Sequence, residues 1–217
     1  DRQGKALAMT RRFERNPAAM AWLWKDHTAI AEADKITALA EKHRPHYLAA
    51  CGGAYSSEWF FSKILHCLNT SPEVFDAAVS WVELSDWIPA VLTGTAAPGK
   101  MRAGICAAGH KAMFNAEWGG YPDADFLRRL DPKMAALRGR LPAEAHDISE
   151  SAGRLTEEWA ARTGLTPGIP VAIGGVDGHL GSVGAGIRPG VLVKTLGTSG
   201  CDMLVISGDQ PCPSIPG

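Results

Sequence analysis

Ile173-Gly174-Gly175-Val176-Asp177-Gly178-His179 and Lys194-Thr195-Leu196-Gly197-Thr198-Ser199-Gly200 are the two stretches on which the reading of this chain turns. The first continues Val171-Ala172 and reads as a buried strand entering a glycine-rich turn and the start of a helix, with Asp177 at the mouth of the turn. The second continues a strand, Val191-Leu192-Val193-Lys194. It breaks into a tight hydroxyl-bearing loop and resumes as Cys201-Asp202-Met203-Leu204-Val205-Ile206. Upstream, Thr156-Glu157-Glu158 opens a helix that Gly164 closes, and Thr166-Pro167-Gly168-Ile169-Pro170 is a turn. Helix and strand therefore alternate through the second half, the pattern of a layered α/β fold.

Further towards the N-terminus the periodicity is helical. Ile30, Ala33, Ile36, Thr37 and Ala40 share a face after Thr28, a candidate N-cap. A stronger stripe is Phe60, Phe61, Ile64, Leu65 and Leu68, starting after Ser56-Ser57. Ser71-Pro72-Glu73 predicts a short helix with a cap residue, a proline at its first position and an acid in its first turn. Ser85-Asp86 predicts another running to Gly94, with Pro89 tolerated near the first turn. Gly186-Ile187-Arg188-Pro189-Gly190 marks a domain boundary, dividing residues 1–188 from 189–217. Only one hairpin's worth of sequence follows it, and a hairpin alone cannot bury a core.

At 217 residues, 46% hydrophobic and with a formal net charge of −1, the chain holds one large domain, or a domain and a piece of another. The lack of a basic run speaks against nucleic acid as a partner. No stretch approaches the roughly eighteen apolar residues of a membrane span. Asp1-Arg2-Gln3-Gly4-Lys5 lacks the apolar region of a signal peptide. Cys51, Cys67, Cys106, Cys201 and Cys212 are scattered, odd in number and without a C-x-x-C, which favours free thiols in a reducing cytoplasm over a disulfide framework.

The chemistry concentrates at few positions. Asp177 reads either as a helix N-cap or as a carboxylate that accepts a proton from a hydroxyl, with Gly174, Gly175, Gly178 and Gly181 allowing close approach. Gly197-Thr198-Ser199-Gly200 is either an ordinary hairpin turn or an anion-binding nest. A carboxylate beside such a nest is what phosphoryl transfer from a nucleotide to a hydroxyl requires. No Walker A loop occurs. A hydrolase built on Ser199, His179 and Asp177 fails, because Cys201 stands where the nucleophile elbow needs glycine. Trp22 and Trp24 offer either half-buried core or an apolar platform for a sugar. Lys111, in Gly109-His110-Lys111, reads from the sequence pattern as a solvated surface side chain.

Taken in order, Leu23-Trp24-Lys25-Asp26-His27-Thr28-Ala29, Gly52-Gly53-Ala54-Tyr55-Ser56-Ser57-Glu58-Trp59, Glu83-Leu84-Ser85-Asp86-Trp87-Ile88-Pro89, Cys106-Ala107-Ala108-Gly109-His110-Lys111, Gly175-Val176-Asp177-Gly178-His179 and Thr195-Leu196-Gly197-Thr198-Ser199 resemble the FGGY carbohydrate kinase family. The W-K-D-H-T and G-H-K combinations resemble its ribulokinase branch. The resemblance implies an actin-like ATPase (ribonuclease H-like) sugar kinase fold. It also implies an ATP- and Mg²⁺-dependent transfer of the γ-phosphoryl group to a primary hydroxyl of L-ribulose, in L-arabinose catabolism, by a cytoplasmic enzyme that forms a homodimer. Alternatives are another pentulose or polyol kinase of xylulokinase type, or a non-catalytic sugar-binding relic.

Carried over position by position, the resemblance makes Asp177 the general base, and Gly197, Thr198 and Ser199 a phosphate loop. Lys111, Trp24 and Tyr55 become sugar contacts. It assigns no metal ligand. Gly178 departs from relatives that carry Ala there. The family's D-x-G-[ST] phosphate hairpin is absent, and relatives are more than twice as long. The chain is accordingly expected to be the later part of a first domain with the first hairpin of a second, inactive by itself.

Overall fold

The computed structural model describes residues 1–49, 51–197 and 200–208. In chain order the elements are α1 (Ile30–His43), α2 (His46–Ala49), α3 (Phe60–Thr70), α4 (Pro72–Ala77) and α5 (Leu84–Leu92). Next come β1 (Ala103–Gly104), α6 (Ile105–Lys111), α7 (Ala124–Leu130), α8 (Pro132–Ala135), β2 (Ala145–His146) and β3 (Ser151–Arg154). The last are α9 (Glu157–Thr163), β4 (Pro170–Ala172), α10 (Asp177–Gly184), β5 (Leu192–Leu196) and β6 (Gly200–Leu204).

The core is built where the apolar period is strongest. Phe61, Ile64, Leu65 and Leu68 of α3 are buried against Ile36 and Ala40 of α1, Phe126, Leu127 and Leu130 of α7, and Met134 of α8. Burying each such large side chain contributes about 1.5–3 kcal/mol. Tyr47 joins the cluster edge-on to Phe126, with centroids 5.1 Å apart.

Three local expectations need correction. Thr28 does not cap α1, because its N–H and hydroxyl both turn back to Asp26 Oδ1 and the cap position falls to Ala29. Ser71 precedes α4 but makes no side-chain capping bond. Pro89 lies inside α5, past its first turn, since the helix already begins at Leu84. By contrast, α9 starts and stops as expected. Thr156 Oγ1 accepts from the Trp159 N–H, and Gly164 ends the helix in the left-handed region at φ 73°.

The α/β alternation holds. Among the described residues the strands pair as three two-stranded ladders, β1 with β2 in parallel and β3 with β4 and β5 with β6 antiparallel. In the last ladder Lys194 faces Asp202, with Nζ and Oδ1 3.2 Å apart. Leu192, Leu196 and Leu204 of that hairpin are exposed. No described helix is long and apolar enough to cross a membrane.

Backbone contact sets the geometry of the site. Pro89 has no N–H for the Ser85 carbonyl four residues earlier, and the loop after β4 occupies that space. A Cβ on Gly174 would stand 1.8 Å from Ser85 O, and one on Gly104 would stand 2.5 Å from Gly174 O. The Gly104 N–H also donates to Asp86 Oδ1 at 2.9 Å. With α5, β1 and the 173–176 turn locked together, the helices that follow β1 and the turn, α6 and α10, come within side-chain reach of each other.

Candidate functional site

Asp177 is the first residue of α10, and Val176 holds the N-cap position, so the N-cap reading of Asp177 is corrected. The carboxylate is exposed. Its Oδ1 accepts from the adjacent Gly178 N–H at 2.8 Å, and among the described residues Oδ2 has no hydrogen-bond donor. A carboxylate oxygen without a donor, open to the outside, can accept a proton from a hydroxyl. At Gly178, an added Cβ would touch Cys201 Sγ at an ordinary 3.8 Å, so alanine fits there as well.

Two residues on, His179 meets α6. Its Nδ1 lies 2.7 Å from Cys106 Sγ, and its ring stands edge-on to His110 with centroids 5.1 Å apart. The contacts continue from His110 to Trp59 at 5.5 Å and from Trp59 to Tyr55 at 5.2 Å. Burial lowers the basicity of both histidines. The Asp177 charge opposes this at His179, while the Lys111 ammonium adds to it at both rings. Neutral imidazoles beside a carboxylate and an ammonium can hydrogen-bond hydroxyls without bringing further charge.

Lys111 ends α6. It is not the solvated surface side chain of the bare sequence pattern: its side chain is 23% exposed, and Nζ lies 4.0 Å from Glu83 Oε2. Burial raises the Glu83 carboxyl above its ordinary range, and Lys111 partly offsets this. Beneath Lys111 stands Tyr55, 4% exposed, whose hydroxyl donates to the Lys111 carbonyl at 2.5 Å and accepts from the Phe61 N–H at 3.1 Å. Both hydrogen-bonding roles of that hydroxyl are taken by backbone. These bonds place Tyr55 under the end of α6 as backbone support for Lys111.

The two tryptophans separate. Trp22 is half-buried, its Nε1 donating to Ala18 O at 3.1 Å and its ring edge-on to His66. Trp24 is 44% exposed on a turn, as a platform must be. That turn is anchored by Lys63, which is buried and donates to the Asp26 carbonyl while pairing with Asp26 Oδ1 at 3.4 Å. His27 reaches Ser57 and Glu58, at 3.3 and 3.6 Å, next to Trp59. Glu83, His110, Trp59 and Cys106 were not singled out for chemistry in the sequence. They stood only inside segments that carried the family resemblance.

Gly197 closes β5, while Thr198 and Ser199 lie outside the described residues. Cys51, Cys67, Cys106 and Cys201 are free thiols, and burial pushes Cys51 and Cys67 up to about 11. Among the described residues no three His, Cys, Asp or Glu side chains converge on a point where a metal ion could be held. The described residues therefore form no all-protein cage for a metal, and a Mg²⁺ ion held mainly by nucleotide phosphates and water needs none.

Comparison with known proteins follows the same outline. The architecture is a mixed α/β part of an actin-like ATPase fold. It superposes on a xylulose kinase from Brucella ovis with TM-score 0.64 at 23% identity, covering 82% of this chain and 34% of that one. A xylulose kinase from Rhodospirillum rubrum gives 0.59 at 24% identity, covering 84% and 35%. Residues 2–184 match the FGGY family of carbohydrate kinases, N-terminal domain. The chain belongs to that family. It is 46% identical over 211 residues to a ribulokinase from Vibrio parahaemolyticus, covering 97% of this chain and 37% of the relative. It is 38% identical over 212 residues to a ribulokinase from Shouchella clausii, again 97% and 37%. The chain thus spans little more than a third of the length of the curated relatives it matches.

Proposed function

We propose that the protein phosphorylates L-ribulose with ATP, giving L-ribulose 5-phosphate and ADP. The observation that carries the reading is the contact of α10 with α6, the two helices that bear Asp177 and Lys111, where His179 lies 2.7 Å from Cys106 Sγ and edge-on to His110. In the reaction, the sugar's primary hydroxyl oxygen forms the new bond to the γ-phosphorus. The bond from that phosphorus to the β,γ-bridging oxygen breaks, and ADP leaves. Asp177 takes the hydroxyl proton on its open oxygen. Lys111 donates hydrogen bonds to sugar oxygens, and Trp24 lies against an apolar face of the sugar. Gly197, Thr198 and Ser199 cradle the ATP phosphates. Mg²⁺ bound with the nucleotide would neutralise phosphate charge.

The choice of L-ribulose among pentuloses is supported by the likeness to two ribulokinases over 97% of this chain. The boundary between residues 188 and 189 belongs to the same proposal, with α10 closing the sugar-binding side and the β5–β6 hairpin carrying the phosphate loop. A coupled ADP-release assay on the full-length protein tests the reading. L-Ribulose is expected to be turned over with a higher kcat/KM than D-xylulose. Preference for D-xylulose would overturn the substrate, and no sugar-dependent ADP release would overturn the kinase.

A further inference from the structure

We infer that Cys106 is a positioning residue that holds Asp177 in place by pinning the first turn of α10 on both sides of it. The inference rests on the reading of Asp177 as the proton acceptor. One sulfur makes both contacts. Cys106 Sγ accepts the Val176 N–H at 3.4 Å and pairs with His179 Nδ1 at 2.7 Å, so the residue before Asp177 and the residue two after it are tied to the same atom.

This helix needs such a tie. Its sequence, Asp-Gly-His-Leu-Gly-Ser-Val-Gly, carries three glycines in eight residues, and each interior glycine costs about 1 kcal/mol relative to alanine. Val176 supplies no side-chain cap, and the first-turn amides of a helix have no partner within the helix. Ser182 Oγ, buried, returns to the Gly178 carbonyl at 3.0 Å, a bond that satisfies the hydroxyl and does nothing for the amides at the start of the helix. On the α6 side the anchor is firm. Cys106 is the second residue after Gly104, whose N–H is bound by Asp86 and whose Cα packs on the Gly174 carbonyl. Placement of a reacting group to within a fraction of an ångström governs rate more than affinity.

The test uses the full-length protein with Cys106→Ala and Cys106→Ser. The alanine variant is expected to lower kcat about tenfold, with the sugar KM changed less than about twofold. Serine, whose hydroxyl can both accept from Val176 and pair with His179, is expected to recover kcat to within about threefold of wild type. Amide hydrogen exchange across residues 176–180 is expected to quicken in the alanine variant and not in the serine one. Should Cys106→Ala fail to fold, Cys106→Val fills the same space without a polar atom. A kcat within twofold of wild type in the apolar variant, unchanged exchange, or a serine variant as slow as alanine would overturn the proposal. A wild-type protein that turns over no sugar would overturn the kinase reading instead, and the exchange measurement would still decide whether the pin exists.

Discussion

The hydroxyl of Tyr55 and the backbone carbonyl of Lys111, 56 residues apart in sequence, are joined by a 2.5 Å hydrogen bond. Burial keeps this phenol protonated, so it can go on donating. Removing it leaves the Lys111 carbonyl and the buried Phe61 N–H without their partner. Tyr55→Phe is therefore expected to lower stability by about 1–3 kcal/mol and, by loosening the end of α6, to raise the sugar KM several-fold. Denaturation and steady-state kinetics check the pair of effects. A raised KM at unchanged stability would instead mean that Tyr55 touches the sugar itself.

Asp177→Asn separates chemistry from helix stability. The asparagine keeps the size and the oxygen that accepts the Gly178 N–H, and loses the proton acceptor. Loss of a positioned general base lowers kcat by ~10²–10⁴, with a much smaller change in sugar affinity. Since Val176, not Asp177, occupies the cap position, the melting temperature is expected to stay close to wild type. A near-normal kcat would remove Asp177 from the chemistry.

What was legible in the sequence was local. The α3 stripe, the Thr156 and Gly164 ends of α9 and the final hairpin each rest on a period or a turn residue within one element, and each appears in the structure. The start of α1 was lost because Asp26, two residues back, outcompetes the helix for the Thr28 hydroxyl. The site was legible as a set of residue types but not as an arrangement. Cys106 and His179 lie 73 residues apart, and Glu83 reaches Lys111 across a separate helix. Neither pairing leaves a trace in spacing, because both depend on three backbones meeting at Gly104, Gly174 and Ser85.

Asp86 gives a pH signature. Burial pushes its carboxyl up to about 7; the Gly104 N–H pulls down against this, and the Glu83 charge adds to it. The folded state therefore holds this proton more tightly than the unfolded chain, whose carboxyl titrates near 3.8. Its contribution is fully present below about 4 and is lost as pH rises towards about 7. Asp26 and Asp123, held near 2, act with the opposite sign and below that window. Asp86→Asn, which keeps an acceptor for Gly104, is expected to flatten the fall in stability between pH 4 and 7, by on the order of 1–3 kcal/mol. Parallel melting profiles for wild type and variant would refute it.

Lys111→Met tests the proposed sugar contact at the end of α6. A desolvated ammonium that donates to hydroxyl or carbonyl oxygens selects a substrate by where those oxygens lie, and losing it costs ~1.5–3 kcal/mol. The KM for L-ribulose is expected to rise roughly tenfold or more, while the KM for ATP moves little. The structure adds a second consequence. Glu83 loses the cation that, among the described residues, offsets its burial, so its carboxyl is expected to move further up and to bind a proton at higher pH than in wild type. Lys111→Met with Glu83→Gln removes the stranded acid as well. It is expected to regain stability without regaining affinity for the sugar, because the donor is still missing. Recovery of the ribulose KM in the double variant would mean that Lys111 serves only to neutralise Glu83, and the sugar would then be recognised elsewhere.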